Sequence, residues 1–246
     1  MSRKTGAPLE GIKLILFDLD GTLRRYRPTC HETLVALAGE LGYTFAAQEQ
    51  QAGLRWSHAY WADHEQIALD QQRLADDRAF WINYIRRYLE AMRLPADQLA
   101  AVTGKVGERF LEEYRPEAVL APGAREVMWH LRSKHLMLGL LSNRQEPLTG
   151  AAIELGIIEY LDFTLAAGQA GCRKPDPAIF RQALELAGHV LPEETIYVGD
   201  NYYTDVIGAR RAGVHAVLLD EHDAFAPLAK DCLVIRQLPE LAHLIP

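Results

Sequence analysis

The chain has 246 residues, of which 49% are hydrophobic and 24% charged. This composition is that of an ordinary globular protein with a sizeable buried core, and 18 glycines and 12 prolines exclude a collagen-like or low-complexity chain. With 26 basic and 33 acidic residues, the formal net charge is −7. That charge disfavours general binding to nucleic acid, because such binding depends on lysine and arginine neutralising phosphates.

The sequence also lacks the features of secreted and membrane proteins. The basic first residues are not followed by the apolar stretch of a signal peptide, and no segment approaches the roughly 20 apolar residues that cross a bilayer. The cysteines Cys30, Cys172 and Cys232 are odd in number and widely spaced, which argues against a disulfide framework or a zinc site. We therefore expect a cytoplasmic protein, a monomer or homodimer, with no membrane or nucleic-acid partner.

Six short, continuous apolar runs are typical of strands in a parallel sheet that is covered on both faces. Helical patterns lie between the later runs, so the second half of the chain predicts an open α/β sheet. Gly156 and Gly213 stand where two of the helices should end. The predicted strands are Leu14–Phe17, Leu136–Leu141, Phe163–Ala166, Thr195–Val198, Val214–Leu219 and Leu233–Ile235, and the predicted helices are Gly123–Lys134, Glu146–Leu155, Pro177–Leu186 and Tyr203–Ala212.

The connection after the first strand is much longer than one crossover helix requires. Apolar residues recur there at helical spacing over residues 81–92 and, after a break at Pro95, over residues 99–111. We therefore predict that residues 25–115 form a helical insert with its own small bundle. The aromatic residues within 56–61 are more typical of packing in that bundle than of a ligand site.

Polar residues follow the predicted strands at the edge where open parallel sheets bind ligands, beyond the carboxyl ends of the strands. Three of these polar segments stand directly at strand ends, so we expect them to converge. The segments are Asp18-Leu19-Asp20-Gly21-Thr22, Ser142-Asn143, Lys174 within Arg-Lys-Pro-Asp-Pro, and Gly199-Asp200 followed by Asp205.

These residue types are typical of a site for a phosphate and a divalent cation. The side chains of Asp18 and Asp20 project from the same face of an extended chain, and Asp200 and Asp205 add carboxylates from another strand. Hard oxygen ligands of this kind suit Mg²⁺. The turn at Gly21 and Thr22 can present backbone N–H groups to an anion.

Each side chain then has a chemical role. We expect Asp18 to attack phosphorus and form an aspartyl-phosphate, and Asp20 to protonate the leaving alkoxide and later deprotonate the attacking water. Ser142, the Asn143 N–H and Lys174 would hold phosphoryl oxygens. Any one of these segments could be an ordinary cap or turn, but solubility and packing do not explain all four in this order.

In their order and spacing, the four segments resemble the motifs of the haloacid dehalogenase-like hydrolase superfamily. The resemblance implies a Rossmann-like α/β core formed by residues 1–24 and 116–246. It also implies that residues 25–115 are a C1 cap domain, as in the phosphoglycolate phosphatase and β-phosphoglucomutase branch.

The same resemblance implies how a metal is held. Asp18 and Asp200 would bind Mg²⁺ through carboxylates, and Asp20 through its backbone carbonyl. Asp205 would either reach the metal through water or position Lys174.

One departure from the family pattern follows Leu23. Many members with a cap have an acidic residue shortly after this point, whereas Arg24, Arg25 and Arg27 stand here. These arginines form either a solvated basic turn or, for one or more of them, contacts with an anionic substrate. Arg24 and Arg25 are therefore candidate substrate-binding residues.

The resemblance leaves several activities to separate. Dehalogenases of the family lack the second aspartate, because halide leaves without a proton, so Asp20 favours phosphoryl transfer. A sugar-phosphate mutase shares every core residue and differs in how the cap excludes water and presents a second hydroxyl, so the product separates it from a phosphatase. A non-catalytic binding protein would be expected to have lost Asp18, Asp20 or Lys174. We therefore expect a Mg²⁺-dependent phosphatase that acts on a small phosphorylated metabolite.

Overall fold

The structure is a computed structural model and describes residues 9–245. The described chain divides into two compact units, one formed by Tyr26–Ala118 and the other by the residues before and after it. The sequence places the corresponding boundaries at residues 25 and 115. In the structure the divisions fall inside two short strands, at Arg25 and Ala118.

The larger unit is built on a six-stranded sheet in the order β5-β4-β1-β6-β7-β8, in which every pairing is parallel. Strands β2 and β3 pair separately. The predicted α/β fold is thus confirmed. The strands are β1 Leu14–Phe17, β2 Arg24–Arg27, β3 Glu117–Leu120, β4 Met137–Ser142, β5 Phe163–Ala166, β6 Thr195–Gly199, β7 His215–Leu219 and β8 Leu233–Ile235.

Within residues 9–245, five α-helices belong to each unit. Gly156 and Gly213 follow α7 and α10 with φ of 64° and 79°, as the sequence predicts for helix ends. The helix predicted from Tyr203 begins with a π-helical turn, Tyr202–Val206, and only then becomes α10. The helices are α1 Cys30–Glu40, α2 Ala47–Ala62, α3 His64–Arg73, α4 Asp77–Ala91, α5 Ala96–Glu113, α6 Ala124–Ser133, α7 Thr149–Glu154, α8 Ala167–Ala170, α9 Pro177–Leu186 and α10 Ile207–Arg211.

The helical unit has an aromatic core of its own. Tyr84 and Tyr88 on α4 are almost fully buried, as is Phe110 on α5. The Trp56 ring packs against Tyr60 and Tyr84, with 5.2 Å between ring centroids in each pair. These contacts agree with the interpretation of residues 56–61 as bundle packing.

Two expectations about the whole chain can be compared with the described residues. Within residues 9–245, no helix combines the length and the apolar character needed to pass through a bilayer. Cys30, Cys172 and Cys232 are all free thiols.

Candidate active site

The register of the sheet brings the polar segments to one edge. Phe17 at the end of β1 lies between Leu140 and Val198 of the neighbouring strands. The next residue, Asp18, donates its backbone N–H to the Val198 carbonyl at 2.9 Å. Because these strands are parallel, β4 ends with Ser142 on the same side. The predicted convergence of strand ends is therefore present.

Lys174 lies at the centre of the site and is only 2% exposed. Its Nζ donates to Asp18 Oδ1 at 2.6 Å, to Asp205 Oδ1 at 2.7 Å and to the Tyr197 hydroxyl at 2.6 Å. Burial lowers the pKa of Lys174, but the two carboxylates outweigh that effect and raise the pKa above its usual value. The side chain is therefore a fixed cation between two acids.

Asp18, Asp200 and Asp205 form a tight group of carboxylates whose nearest oxygens all lie within 4.8 Å of one another. Burial raises the pKa of Asp18 well above its usual value; Lys174 lowers it in part, and the two other aspartates raise it again. Burial, and then the charge of Asp205, raise the pKa of Asp200 to about 7. Since one lysine does not balance three such carboxylates, the group has the charge and the hard oxygen donors that suit a divalent cation.

Gly21 allows the backbone to lie directly against this group. Its φ is +86°, and a Cβ there would be 2.3 Å from Asp200 Oδ2. Thr22, whose side chain is fully buried, donates its hydroxyl to Asp200 Oδ1 at 3.3 Å. The side-chain contact of Thr22 is thus with a carboxylate, and phosphate binding by this turn remains a prediction about its backbone.

Asn143 fixes the segment that carries Lys174. Its side-chain amide donates to the Lys174 carbonyl at 2.9 Å and accepts from the Lys174 backbone N–H at 2.7 Å. Asp176 then caps α9 by accepting from the Ala178 N–H at 2.8 Å. The Asn143 side chain is therefore a brace for Lys174, which leaves only its backbone N–H for the predicted phosphate contact.

Asp205 is held on both oxygens. Oδ1 accepts from Lys174, and also from the Thr204 hydroxyl at 3.2 Å; Oδ2 accepts from the Asn201 N–H at 2.9 Å. Of the two roles expected for Asp205, positioning of Lys174 corresponds to a direct contact in the structure.

Asp20 is not part of the three-carboxylate group and is paired with two arginines. Arg24 donates its Nε to Oδ1 at 2.8 Å, and Arg144 donates its Nε to Oδ2 at 2.7 Å. Arg24 is buried, so the solvated basic turn does not describe it. Arg25 pairs with Glu221 at 2.8 Å. Both candidate substrate-binding arginines thus have carboxylate partners within the sheet unit.

Sequence reasoning missed Tyr197 and Arg144. Tyr197 stands inside the apolar β6, and a buried tyrosine hydroxyl normally requires a polar partner, so its presence there was a usable signal. It donates to the Leu141 carbonyl at 3.1 Å as well as accepting from Lys174. Arg144 directly follows the Ser142-Asn143 pair, where a charged side chain at a strand end could have been noted.

Comparison with known proteins gives consistent results. The family model described as haloacid dehalogenase-like hydrolase matches residues 12–213. Haloacid dehalogenase-like hydrolase domain-containing protein 3 of Homo sapiens is 30% identical over 239 residues, covering 96% of this chain and 93% of the relative. A phosphoserine phosphatase of Thermus thermophilus is 33% identical over 240 residues, with coverage of 85% and 89%. The crystal structure of a 2-haloacid dehalogenase from Pseudomonas syringae is similar with a TM-score of 0.52 and 25% identity, over 95% of this chain and 97% of that one.

Proposed function

The chain belongs to the haloacid dehalogenase-like hydrolase family, and we propose that it is a Mg²⁺-dependent phosphatase acting through an aspartyl-phosphate on Asp18. The substrate would be a small phosphorylated metabolite. The observation that carries the proposal is the buried Lys174 bridging Asp18 and Asp205 beside Asp200. This arrangement concentrates cation-binding oxygens around one potential nucleophile.

The residues account for both halves of the reaction. An oxygen of Asp18 attacks phosphorus, the bond from phosphorus to the ester oxygen breaks, and Asp20 gives that oxygen its proton. In the second half Asp20 takes a proton from water, whose oxygen attacks the acyl phosphate. The bond from phosphorus to Asp18 then breaks, which releases inorganic phosphate and restores the carboxylate. Ser142 would hold a phosphoryl oxygen throughout. Lys174, whose three N–H groups go to Asp18, Asp205 and Tyr197, would exchange one of these contacts for a phosphoryl oxygen.

The donor set fits a Mg²⁺ ion. Asp18 and Asp200 would hold it with the backbone carbonyl of Asp20, while Asp205 is occupied in holding Lys174. When bound, the ion supplies positive charge that offsets the anionic nucleophile and the anionic phosphate. Asn143 and Tyr197 keep Lys174 in place, so that its charge lies beside Asp18 during the attack.

Asp20 separates this proposal from dehalogenation. A halide leaves without a proton, so a second carboxylic acid two residues after the nucleophile has no task in that reaction. An alkoxide leaving group does require a proton. The similarity to a 2-haloacid dehalogenase therefore supports the shared fold, whereas the Asp20 side chain favours ester hydrolysis.

The test is a screen of sugar phosphates, phosphoglycolate, nucleotides and cofactor phosphates, with Mg²⁺ and with EDTA. We expect Mg²⁺-dependent phosphate release that Asp18→Asn abolishes. Asp162→Asn is the matched control, because Asp162 is a carboxylate of the same unit that pairs with Arg132 on its surface.

Other products would identify the alternatives. Isomerised sugar phosphate without phosphate release would indicate a mutase. Halide release from a 2-haloacid without Mg²⁺ would indicate a dehalogenase, and no turnover of any ester would contradict an enzymatic role.

A further inference from the structure

We infer that Arg24 and Arg144 are positioning residues that hold the Asp20 side chain in place for proton transfer from its acid form to the leaving group; this inference rests on the proposed function. Arg144 donates Nε to Asp20 Oδ2 at 2.7 Å and a second guanidinium N–H to Oδ1 at 3.4 Å. Arg24 donates Nε to Oδ1 at 2.8 Å and forms an ion pair with the same oxygen. Oδ1 therefore accepts from both guanidinium groups, whereas Oδ2 accepts from Arg144 alone and keeps a second lone pair, on which Asp20 would carry the proton that it transfers.

Without these contacts the Asp20 side chain would be mobile. It is 35% exposed, and a carboxylate in such a position normally samples several rotamers. One exposed ion pair would restrict it little. Two planar guanidinium groups from different segments fix both oxygens, because the geometry of each fork matches a carboxylate.

Arg24 is placed by the backbone of the turn that carries Asp20. The Arg24 N–H donates to the Leu19 carbonyl at 2.7 Å, and the Gly21 N–H donates to the Arg24 carbonyl at 2.9 Å. These two bonds close the turn around Asp20. The Arg24 side chain, which is buried, therefore lies beside the Asp20 carboxylate as a consequence of the turn itself.

Arg144 is placed by a tightly packed loop after β4. Its carbonyl accepts from the Gly168 N–H at 3.1 Å. A Cβ at Gly168 would lie 2.0 Å from the Gln145 carbonyl oxygen, so the two backbones are in direct contact. The neighbouring Asn143 braces Lys174. Consecutive residues after β4 thus position the cation of the site and its proposed acid.

The pairing also gives Asp20 a place apart from the three-carboxylate group. Without its arginine partners, the Asp20 carboxylate could turn towards a metal ion held by that group. In that position it could not donate a proton to the leaving group. The two arginines oppose that movement by offering charge-assisted hydrogen bonds elsewhere.

The consequence is a dependence on the leaving group. 4-Methoxyphenyl phosphate has a poor leaving group that requires protonation, whereas the 4-nitrophenolate ion leaves readily without a proton. A misplaced acid should therefore slow hydrolysis of the methoxyphenyl ester and leave hydrolysis of the nitrophenyl ester nearly unchanged. A general loss of folding or of phosphate binding would slow both esters equally.

The experiment compares kcat/KM of the full chain for both esters with Mg²⁺. We expect Arg144→Ala to lower kcat/KM for the methoxyphenyl ester by roughly 10- to 100-fold, the cost of misplacing an acid, and for the nitrophenyl ester by no more than about 3-fold. Arg132→Ala is the control and should change neither, because the Arg132–Asp162 pair has side-chain exposures of 40% and 34%, close to the 37% and 35% of Arg144 and Asp20. Equal losses on the two esters, or no loss, would overturn the inference.

A second readout does not depend on turnover. In a crystal structure of Arg144→Ala we expect the Asp20 carboxylate to change its rotamer or lose order, and an unmoved, well-ordered carboxylate would also overturn the inference. Wild-type phosphate release from the two esters is the separate test of the proposed function. If the wild type hydrolyses neither ester, the crystal structure of Arg144→Ala still tests whether Arg144 holds the Asp20 side chain.

Discussion

Replacing Lys174 with methionine removes the cation that bridges the buried carboxylates of Asp18 and Asp205. Methionine is a flexible, unbranched side chain that occupies the space without a charge. Lys174, Asp18 and Asp205 have side-chain exposures of 3%, 8% and 2%, and the lysine lies 2.6 Å and 2.7 Å from the two carboxylates. Breaking a buried ion pair by removing one partner costs about 3–5 kcal/mol, because the remaining charge is left uncompensated. We expect a loss of that size in the free energy of unfolding at pH 8.

The loss should shrink as the pH falls. Burial already raises the pKa of Asp18 above its unfolded value, so the folded state binds protons more readily and stability from this group rises with falling pH. Without Lys174 the carboxylates gain more from protonation, and the variant should approach the wild type at pH 6.

Urea unfolding in EDTA at pH 8 and pH 6 measures both effects. Lys13→Met is the matched control, since Lys13 pairs with Glu194 at 2.6 Å but its side chain is 60% exposed; this variant should lose less than about 1 kcal/mol. If Lys174→Met is no less stable than Lys13→Met, or if its loss of stability is the same at both pH values, the Lys174 bridge does not stabilise the fold in this way.

Three further predictions concern the glycine turn, the metal and the helical unit. Gly21→Ala should abolish turnover and the thermal shift on adding Mg²⁺, because its Cβ would lie 2.3 Å from Asp200 Oδ2. Gly11→Ala is the control: Gly11 also has a positive φ, +73°, but open space surrounds it, so the free energy of unfolding should fall by only about 1 kcal/mol and activity should be kept. Since the pKa of Asp200 is about 7 and protons compete with the cation, Mg²⁺ should bind roughly tenfold more weakly at pH 6 than at pH 8 by calorimetry; pH-independent binding would contradict this. Asp70→Ala should destabilise the protein by about 2–4 kcal/mol in urea unfolding, because Asp70 is buried and its loss leaves Arg87, 3.0 Å away, unpaired; a change below about 0.5 kcal/mol would show that the pair contributes little.

The sheet could be predicted from the sequence because its strands carry their own signal. Continuous apolar runs gave the observed bounds of β1, β5 and β8, and the signal is strongest in β1, where all four residues are buried. The strand predicted to end at Leu141 extends to Ser142, which pairs with Ala166 of β5. That extension depends on pairing with a neighbouring strand and cannot be predicted from the local pattern of apolar residues.

The aspartates and the lysine of the site were predictable for a related reason. Polar residues at the ends of parallel strands share one edge, so Asp18 and Asp200 could be grouped from the sequence. Lys174 lies in the loop before α9, and it was grouped with them through the order of the four motifs. The contacts that hold these side chains in place could not be predicted from the sequence. Asn143 contacts Lys174 across 31 residues, and Arg144 contacts Asp20 across 124. Such pairs depend on how loops from different strands face each other.

The helical insert shows the same limit. Residues 81–92 and 99–111 have apolar stripes that correspond to α4 and α5, with Tyr84, Tyr88 and Phe110 buried. Helices α2 and α3 bury only Gly53, Tyr60 and Asp70. With so few buried residues they lack a clear stripe, and the sequence did not resolve them as separate elements.

The central claim is that the Asp18 carboxylate forms the bond to phosphorus. Quenching the wild-type protein during turnover with Mg²⁺ and reducing it with borohydride would convert an acyl phosphate at that residue to homoserine, which peptide mass spectrometry detects. We expect homoserine at position 18 in enzyme quenched during turnover and in no other sample. Unmodified Asp18 alongside steady phosphate release, or homoserine at another aspartate, would contradict it.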